Sequence, residues 1–182
     1  MARVLEALDT AGGSGPRIVG IDGPAGSGKS TLAAAISEAT DAAVVGVDDF
    51  VGWTDLDPDG RTWWPRLEAE VLAPFLAGRD SAYRRRDWHG DPEGLGLLPD
   101  PVPLPAAPLL VLEGVSVTRR AVAGRLEVRV WLEAPEAVRL ERGLARDGEA
   151  ERGHWLRWQA LEREFFARDG TRERADVVLA TG

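Results

Sequence analysis

Apolar residues fall into five short runs, each followed by a polar or glycine-rich stretch. The runs are "RIVGID" (17–22), "AAVVGV" (42–47), "LLVLEGV" (109–115), "LEVRVWLEA" (126–134) and "ADVVLA" (175–180). They are short and rich in β-branched residues, as expected of strands buried on both faces of a sheet. The pattern therefore predicts a mainly parallel sheet of five strands.

Apolar residues at helical spacing lie between these runs. They predict a short N-terminal helix and four longer helices at 30–40, 63–78, 135–147 and about 154–168. We expect Pro74 to disturb the last turn of the predicted helix at 63–78. Alternating strands and helices predict an α/β fold of the doubly wound type, with helices on both faces of the sheet. The length favours one domain, 1–182, in which 1–16 forms the N-terminal helix and a linker.

Two stretches in the middle of the chain show no clear period. The stretch "YRRRDWHGDPEG" (83–94) is polar and aromatic, and "LPDPVPLPAAP" (98–108) is rich in proline. We interpret the second as a spacer before the third predicted strand. A ligand for a proline-binding module is the alternative.

Ligands of such sheets bind at the carboxyl ends of the strands, where the first predicted strand is followed by "GPAGSGKS" (23–30). This stretch matches the pattern G-x-x-x-x-G-K-[ST], between a strand and a helix. Glycines let the backbone amides face a phosphate, and the helix N-terminus adds a positive dipole end. The alternative is a glycine-rich turn with an incidental lysine. The predicted nucleotide-binding residues are Gly23, Ala25, Gly26, Ser27, Gly28, Lys29, Ser30 and Thr31.

Lys29 is the only lysine in a chain whose other basic residues, histidine apart, are all arginines. A compact ammonium suits a closed loop better than a planar guanidinium. We therefore expect Lys29 to contact the β- and γ-phosphates and Ser30 to bind Mg²⁺. Because no second lysine exists, the N-K-x-D motif of GTPases is absent. The length and Glu113-Gly114 at the end of the third predicted strand also disfavour a motor ATPase, which leaves a small-molecule kinase.

The composition limits the classes of partner that we expect the protein to bind. The net charge is −8, which argues against general binding of nucleic acid or anionic membranes, and no cysteine is present. No apolar run approaches the ~20 residues of a membrane span, and the N-terminus lacks an apolar signal core. We expect a cytoplasmic protein with a small-molecule substrate and no nucleic-acid or membrane partner. Assembly of identical chains stays open.

A kinase needs an acidic group that orients or deprotonates the attacking hydroxyl. Asp48 and Asp49 follow the second predicted strand, and Glu113 follows the third. All three are expected beside the phosphate loop. A solvated turn for the aspartates and a loop cap for Glu113 are the alternatives.

The order of these motifs along the chain is similar to that in a known family. "GPAGSGKST", "VDDF", "VLEGV" and the following arginine-rich helix resemble the uridine/cytidine kinase family, within the phosphoribulokinase-like P-loop kinases, over about residues 17–180. The resemblance implies ATP- and Mg²⁺-dependent transfer to the 5′-hydroxyl of uridine or cytidine. It implies that Asp48 is the base, that Glu113 assists Mg²⁺, and that Arg142 and Arg146 are lid arginines. We also expect Asp48 to share the ion and the lid to cover about 142–153.

The sequence departs from that family between Phe50 and Asp91. Val51 stands where the family has tyrosine, and the family's Asp-His-Pro segment is missing. The acceptor could instead be pantothenate, a sugar or a sugar phosphate, and "RRR" suits an anionic acceptor. A nucleotide-binding module without transfer activity is the third hypothesis. Candidate acceptor-binding residues are Asp49, Trp53, Tyr83, Arg86, Asp87 and Trp88.

Three arginines of the predicted helix 135–147 share one face: Arg139, Arg142 and Arg146. The face is either solvated or, with Arg152, part of a phosphate clamp. On the next predicted helix we interpret Trp155, Trp158 and Phe165 as core. Glu162 lies in the same stripe, where it could pair with an arginine.

Overall fold

Five of the seven strands that the structure describes form one parallel sheet. The computed structural model describes residues 1–13, 15–51, 57–88, 90–91 and 96–182. In chain order the strands are β1 (Arg17–Asp22), β2 (Ala43–Gly46), β3 (Ser81–Arg86), β4 (Leu97–Leu104), β5 (Leu109–Glu113), β6 (Val128–Glu133) and β7 (Val177–Ala180). The order in the large sheet is β2-β5-β1-β6-β7. The predicted five-stranded parallel sheet is confirmed, with β1 at its centre.

The helices agree with the predicted ones except around Pro74. They are α1 (Ala2–Ala11), α2 (Lys29–Thr40), α3 (Trp64–Leu67), α4 (Ala73–Leu76), α5 (Glu136–Asp147) and α6 (Arg152–Asp169). A π-helical stretch, Glu68–Leu72, joins α3 to α4. Proline lacks the N–H that would bond four residues back, and its ring crowds that carbonyl. The wider π turn directly before Pro74 accommodates both effects, so the irregularity lies one turn earlier than expected.

Parts of the two stretches without a clear period belong to an antiparallel hairpin of β3 and β4. The interpretation of 98–108 as a spacer was therefore wrong for its first half. Prolines occupy every second position of β4, so their missing N–H groups lie on one edge, where a two-stranded hairpin needs no donors. The register shifts between Arg84 and Arg86, a bulge that breaks the alternation in β3.

Apolar clusters cover both faces of the large sheet. On one face Ile18 and Leu110 pack with Leu67 and Phe75. On the other, Val19 and Val111 pack with residues of α1 and α2, namely Val4, Leu8, Ala33 and Ile36. This two-sided burial explains the continuous apolar runs of the strands. Among the described residues, no helix is long and apolar enough to cross a membrane.

The register of the strands brings three chain segments to one edge of the sheet. Glu113 of β5 lies level with Ile21 of β1 and with Gly46 of β2. The segments that follow these three strands therefore begin side by side. They contain the phosphate-loop motif, the Asp48-Asp49 pair and Glu113 itself.

Candidate functional site

Two glycines of the loop 23–30 are required by its shape. Gly23 has φ 139°, and a Cβ there would lie 2.0 Å from the carbonyl oxygen of Leu132. Gly26 has φ 78°, and a Cβ there would lie 2.6 Å from the carbonyl oxygen of Arg139. Any side chain at either position would collide with backbone. The loop thus lies directly against β6 and α5.

The backbone carbonyls of five consecutive loop residues are all bonded to side chains. Lys29 Nζ donates to Gly23 O (2.9 Å) and Pro24 O (3.0 Å), Arg139 to Ala25 O (3.1 Å), Arg142 to Gly26 O (3.4 Å) and Thr181 Oγ1 to Ser27 O (2.8 Å). In a trans peptide the carbonyl and the next amide point in opposite directions. Fixing the carbonyls therefore fixes where the amides point.

The amides that remain form an anion-binding cradle. Within the described part of the chain, those of Gly26, Gly28, Lys29, Ser30 and Thr31 meet no hydrogen-bond acceptor. They surround the N-terminus of α2, which adds its positive dipole end. The buried hydroxyl of Ser27 also lacks a partner there. Such a cradle fits the phosphates of a nucleoside triphosphate.

A hydroxyl and a carboxylate meet beside this cradle. Ser30 Oγ donates to Glu113 Oε1 at 2.9 Å. Burial raises the pKa of Glu113, and the nearby negative charge of Asp48 raises it further. Mg²⁺ in nucleotide sites commonly takes one or two protein oxygens together with phosphates and water. Ser30 and Glu113 fit that mode, although no described group of three or more His, Cys, Asp or Glu could hold a metal by itself.

Asp48 and Asp49 differ in their surroundings, although they share one 3₁₀ turn, Val47–Asp49. Asp48 is exposed, and its carboxylate accepts no hydrogen bond from the residues that the structure describes. Asp49 is partly buried and accepts a hydrogen bond from Tyr83 Oη at 3.1 Å. Burial raises the pKa of Asp49. Asp48 is thus the available carboxylate of the two.

The three candidate lid arginines are used differently. Arg142 contacts the phosphate loop at Gly26 O and also Thr181 Oγ1 (3.1 Å). Arg146 pairs with Asp147 at 2.7 Å and lies within electrostatic reach of Asp48 and Glu113. Arg152 pairs with Glu149 on the surface. The structure brings Arg142 and Arg146 to the site and leaves Arg152 outside it.

Comparison with solved structures identifies the architecture. A possible uridine kinase from Bacillus stearothermophilus superposes with a TM-score of 0.66 at 19% identity, covering 97% of this chain and 99% of that one. A candidate fructose transport system kinase from Silicibacter sp. gives 0.63 at 22% identity, with 98% of each chain covered. D-glycerate 3-kinase from Cryptococcus neoformans gives 0.53 at 15%, covering 98% of this chain and 70% of that one. The chain shares the fold of these proteins, an α/β fold with a phosphate loop after its central strand. No protein-family model and no curated sequence matches it.

The described residues among those predicted to bind the acceptor lie around the hairpin of β3 and β4. Tyr83 bonds Asp49, and Trp88 Nε1 donates to the carbonyl of Asp48 at 3.0 Å. Arg86 is buried and donates hydrogen bonds to Gly96 O (2.9 Å) and Asp91 O. These bonds stabilise the hairpin of β3 and β4. Asp87 accepts from the amide of Gly90 at 2.7 Å and closes the turn. Trp53 lies outside the described residues.

Sequence reasoning missed the buried residue Asp22 and gave Arg139 the wrong surroundings. Asp22, at the end of β1, accepts hydrogen bonds from the amides of Gly23, Ser116 and Thr118, at 2.7, 2.8 and 2.8 Å. It ties the phosphate loop to the segment after β5. The feature of the sequence that could have indicated Asp22 is an aspartate at the end of an apolar strand. Arg139 was assigned to a solvated or clamping face, yet it is buried against Glu162 at 2.7 Å. The predicted pairing of Glu162 with an arginine is present.

The inner face of α6 is apolar apart from Glu162 and Gln159. Trp155 and Phe165 are buried and Trp158 is half-buried, as interpreted from the sequence. Gln159 is buried on the same face, and both polar atoms of its amide lack a partner among the described residues. Its spacing is the signal in the sequence, because Gln159 follows Trp155 by four residues and precedes Glu162 by three.

Proposed function

We propose that the protein is a kinase that uses ATP and Mg²⁺ to phosphorylate a hydroxyl of a small metabolite. One observation carries this proposal: the hydroxyl of Ser30 meets the carboxylate of Glu113 at the rim of the amide cradle, with exposed Asp48 beside them. Anion site, metal-binding oxygens and an available carboxylate thus lie on one edge of the sheet. Phosphoryl transfer requires these three components together.

The proposed roles follow from the contacts of each side chain. Lys29 and the loop amides hold the β- and γ-phosphates, and Ser30 and Glu113 hold Mg²⁺, with Asp48 sharing the ion. Bound Mg²⁺ neutralises charge on the phosphate oxygens. Asp48 orients the acceptor hydroxyl and accepts its proton. Arg146 offsets the negative charge that develops during transfer, and Arg142 supports the loop from α5.

The first candidate acceptor is the 5′-hydroxyl of uridine or cytidine. It is supported by the resemblance of the motifs to uridine/cytidine kinases and by the likeness in fold to a possible uridine kinase. Pantothenate, a sugar or a sugar phosphate is the second candidate. Arg85 favours an anionic acceptor, because it lies at the bulge of β3, exposed and within electrostatic reach of Asp49.

An acceptor panel tests the proposal. ADP release would be measured with Mg²⁺ and ATP while uridine, cytidine, pantothenate, sugars and sugar phosphates are supplied in turn. We expect acceptor-dependent ADP release that is lost in Lys29→Ala. Release with uridine and cytidine supports the first candidate, and release with acidic acceptors alone supports the second. ATP binding without acceptor-dependent release across a broad panel would favour the non-catalytic module.

A further inference from the structure

A buried ion pair holds one peptide of the phosphate loop from outside the loop. Glu162 of α6 accepts the amide hydrogen of Ala25 at 2.8 Å through one carboxylate oxygen. Its other oxygen accepts from Arg139 of α5 at 2.7 Å. Arg139 in turn donates to the carbonyl of Ala25 at 3.1 Å. The pair therefore engages both the N–H and the C=O of Ala25, and we call it the Ala25 bracket.

The bracket determines where the next amide points. The carbonyl of Ala25 and the amide of Gly26 belong to one planar trans peptide, so they point in opposite directions. Because Arg139 holds that carbonyl outside the loop, the Gly26 amide points into the cradle. Glu162 likewise fixes the Pro24–Ala25 peptide, whose carbonyl is bonded to Lys29. The loop conformation thus depends on residues more than a hundred positions away.

We propose that Glu162 is a positioning residue for the triphosphate, acting through Arg139 and Ala25. This inference rests on the proposed function, because it concerns the same nucleotide site. It also couples the lid to the loop, since α5 and α6 flank the lid segment and both contact Ala25. Displacement of either helix would disturb the cradle.

Electrostatics alone gives the opposite expectation. The carboxylate of Glu162 is a negative charge close to Lys29, so its removal would favour an incoming anion. The positioning role instead requires that its removal weakens binding. The sign of the change in affinity therefore separates the two effects.

The test uses isothermal titration calorimetry of the full chain with Mg²⁺·ATP and with inorganic tripolyphosphate. For Glu162→Gln we expect the Kd of each to rise by about tenfold, the usual cost of losing a charge-assisted hydrogen bond. The rise should be the same for both ligands, because the loop contacts phosphates and not the nucleoside. The double variant Arg139→Gln/Glu162→Gln keeps the net charge and should show the same loss. Thermal unfolding reports whether each variant folds.

Glu136→Gln is the matched control. Glu136 also pairs with α6, through Arg163 at 2.9 Å, but the two side chains are 54% and 64% exposed, against 1% for Glu162 and 8% for Arg139. The Glu136→Gln variant should bind Mg²⁺·ATP with a Kd within twofold of that of the wild type. Tighter or unchanged binding by both Glu162→Gln and the double variant would overturn the inference. Absence of ATP binding by the wild type would instead overturn the proposed function.

Discussion

At the scale of single residues, Lys29 shows why one lysine persists in an arginine-rich chain. Its buried ammonium reaches two carbonyls of its own loop, at 2.9 and 3.0 Å, while the loop lies against β6 and α5 with no room for extra atoms. A guanidinium is planar and larger, and it prefers bidentate partners. Lys29 could be proposed from the sequence because the loop is a local motif.

Replacement of Lys29 by arginine tests that fit. For Lys29→Arg we expect the Kd of Mg²⁺·ATP to rise by about a hundredfold, because a charge-assisted contact is lost and the loop must shift. Calorimetric titration measures it. Arg79→Lys, an exposed exchange in the opposite sense, is the control and should bind as wild type does. Retention of near wild-type affinity by Lys29→Arg would contradict the steric argument.

The two neighbouring aspartates give the second prediction at this scale. Asp48→Asn should lower kcat by about a thousandfold and leave ATP binding intact, because general-base catalysis contributes about 10²–10⁴. Asp49→Asn keeps an oxygen that can accept from Tyr83, so we expect a much smaller loss of kcat. Steady-state kinetics with the acceptor found in the panel compares the two. An equal or larger loss in Asp49→Asn would transfer the role of base to Asp49.

At the scale of elements, the sequence predicted what local periodicity determines. The five core strands and the helices α1, α2, α5 and α6 follow from apolar spacing. The hairpin of β3 and β4 does not, because it is exposed, bulged and rich in proline, so neither strand shows a simple alternation. The Ala25 bracket could not be predicted from the sequence for another reason. It joins Ala25 to Glu162 across a separation of 137 residues.

The prediction at the scale of elements concerns two arginines of the proposed lid, Arg146 and Arg152. Arg146 lies near Asp48 and Glu113, whereas Arg152 is held at the surface by Glu149. Arg146→Ala should therefore lower kcat by about 10- to 100-fold, because a cation facing the transferred phosphoryl group is lost. Arg152→Ala serves as the control and should stay within about twofold, as for other exposed pairs. Equal losses in both variants would mean that the lid rearranges to bring both arginines to the site.

At the scale of the whole molecule, the fold brings basic side chains of an acidic protein to the phosphate loop. The net charge is −8, yet Lys29, Arg139, Arg142 and Arg146 gather around one loop. They come from the start of α2 and from α5, which the parallel sheet brings together at its carboxyl edge. The placement of these cations is therefore determined by the topology of the fold and not by its composition. The same topology ties the loop to three elements, β6, α5 and α6, and to Thr181 after β7.

Because the loop is tied to so many elements, occupancy of the cradle should stabilise the entire domain. A ligand at a hundredfold excess over its Kd adds about 2.7 kcal/mol to the free energy of unfolding. For a chain of this size that corresponds to a rise in Tm of about 5–10 °C. We expect this rise with Mg²⁺·ATP in thermal unfolding followed by circular dichroism, and a smaller one when EDTA removes the metal. In Ser30→Ala the response to ATP should persist while its dependence on Mg²⁺ diminishes, because the metal loses one oxygen and the amides keep the phosphates. A Tm that ATP leaves unchanged at concentrations that saturate binding would show that the cradle is not coupled to the fold.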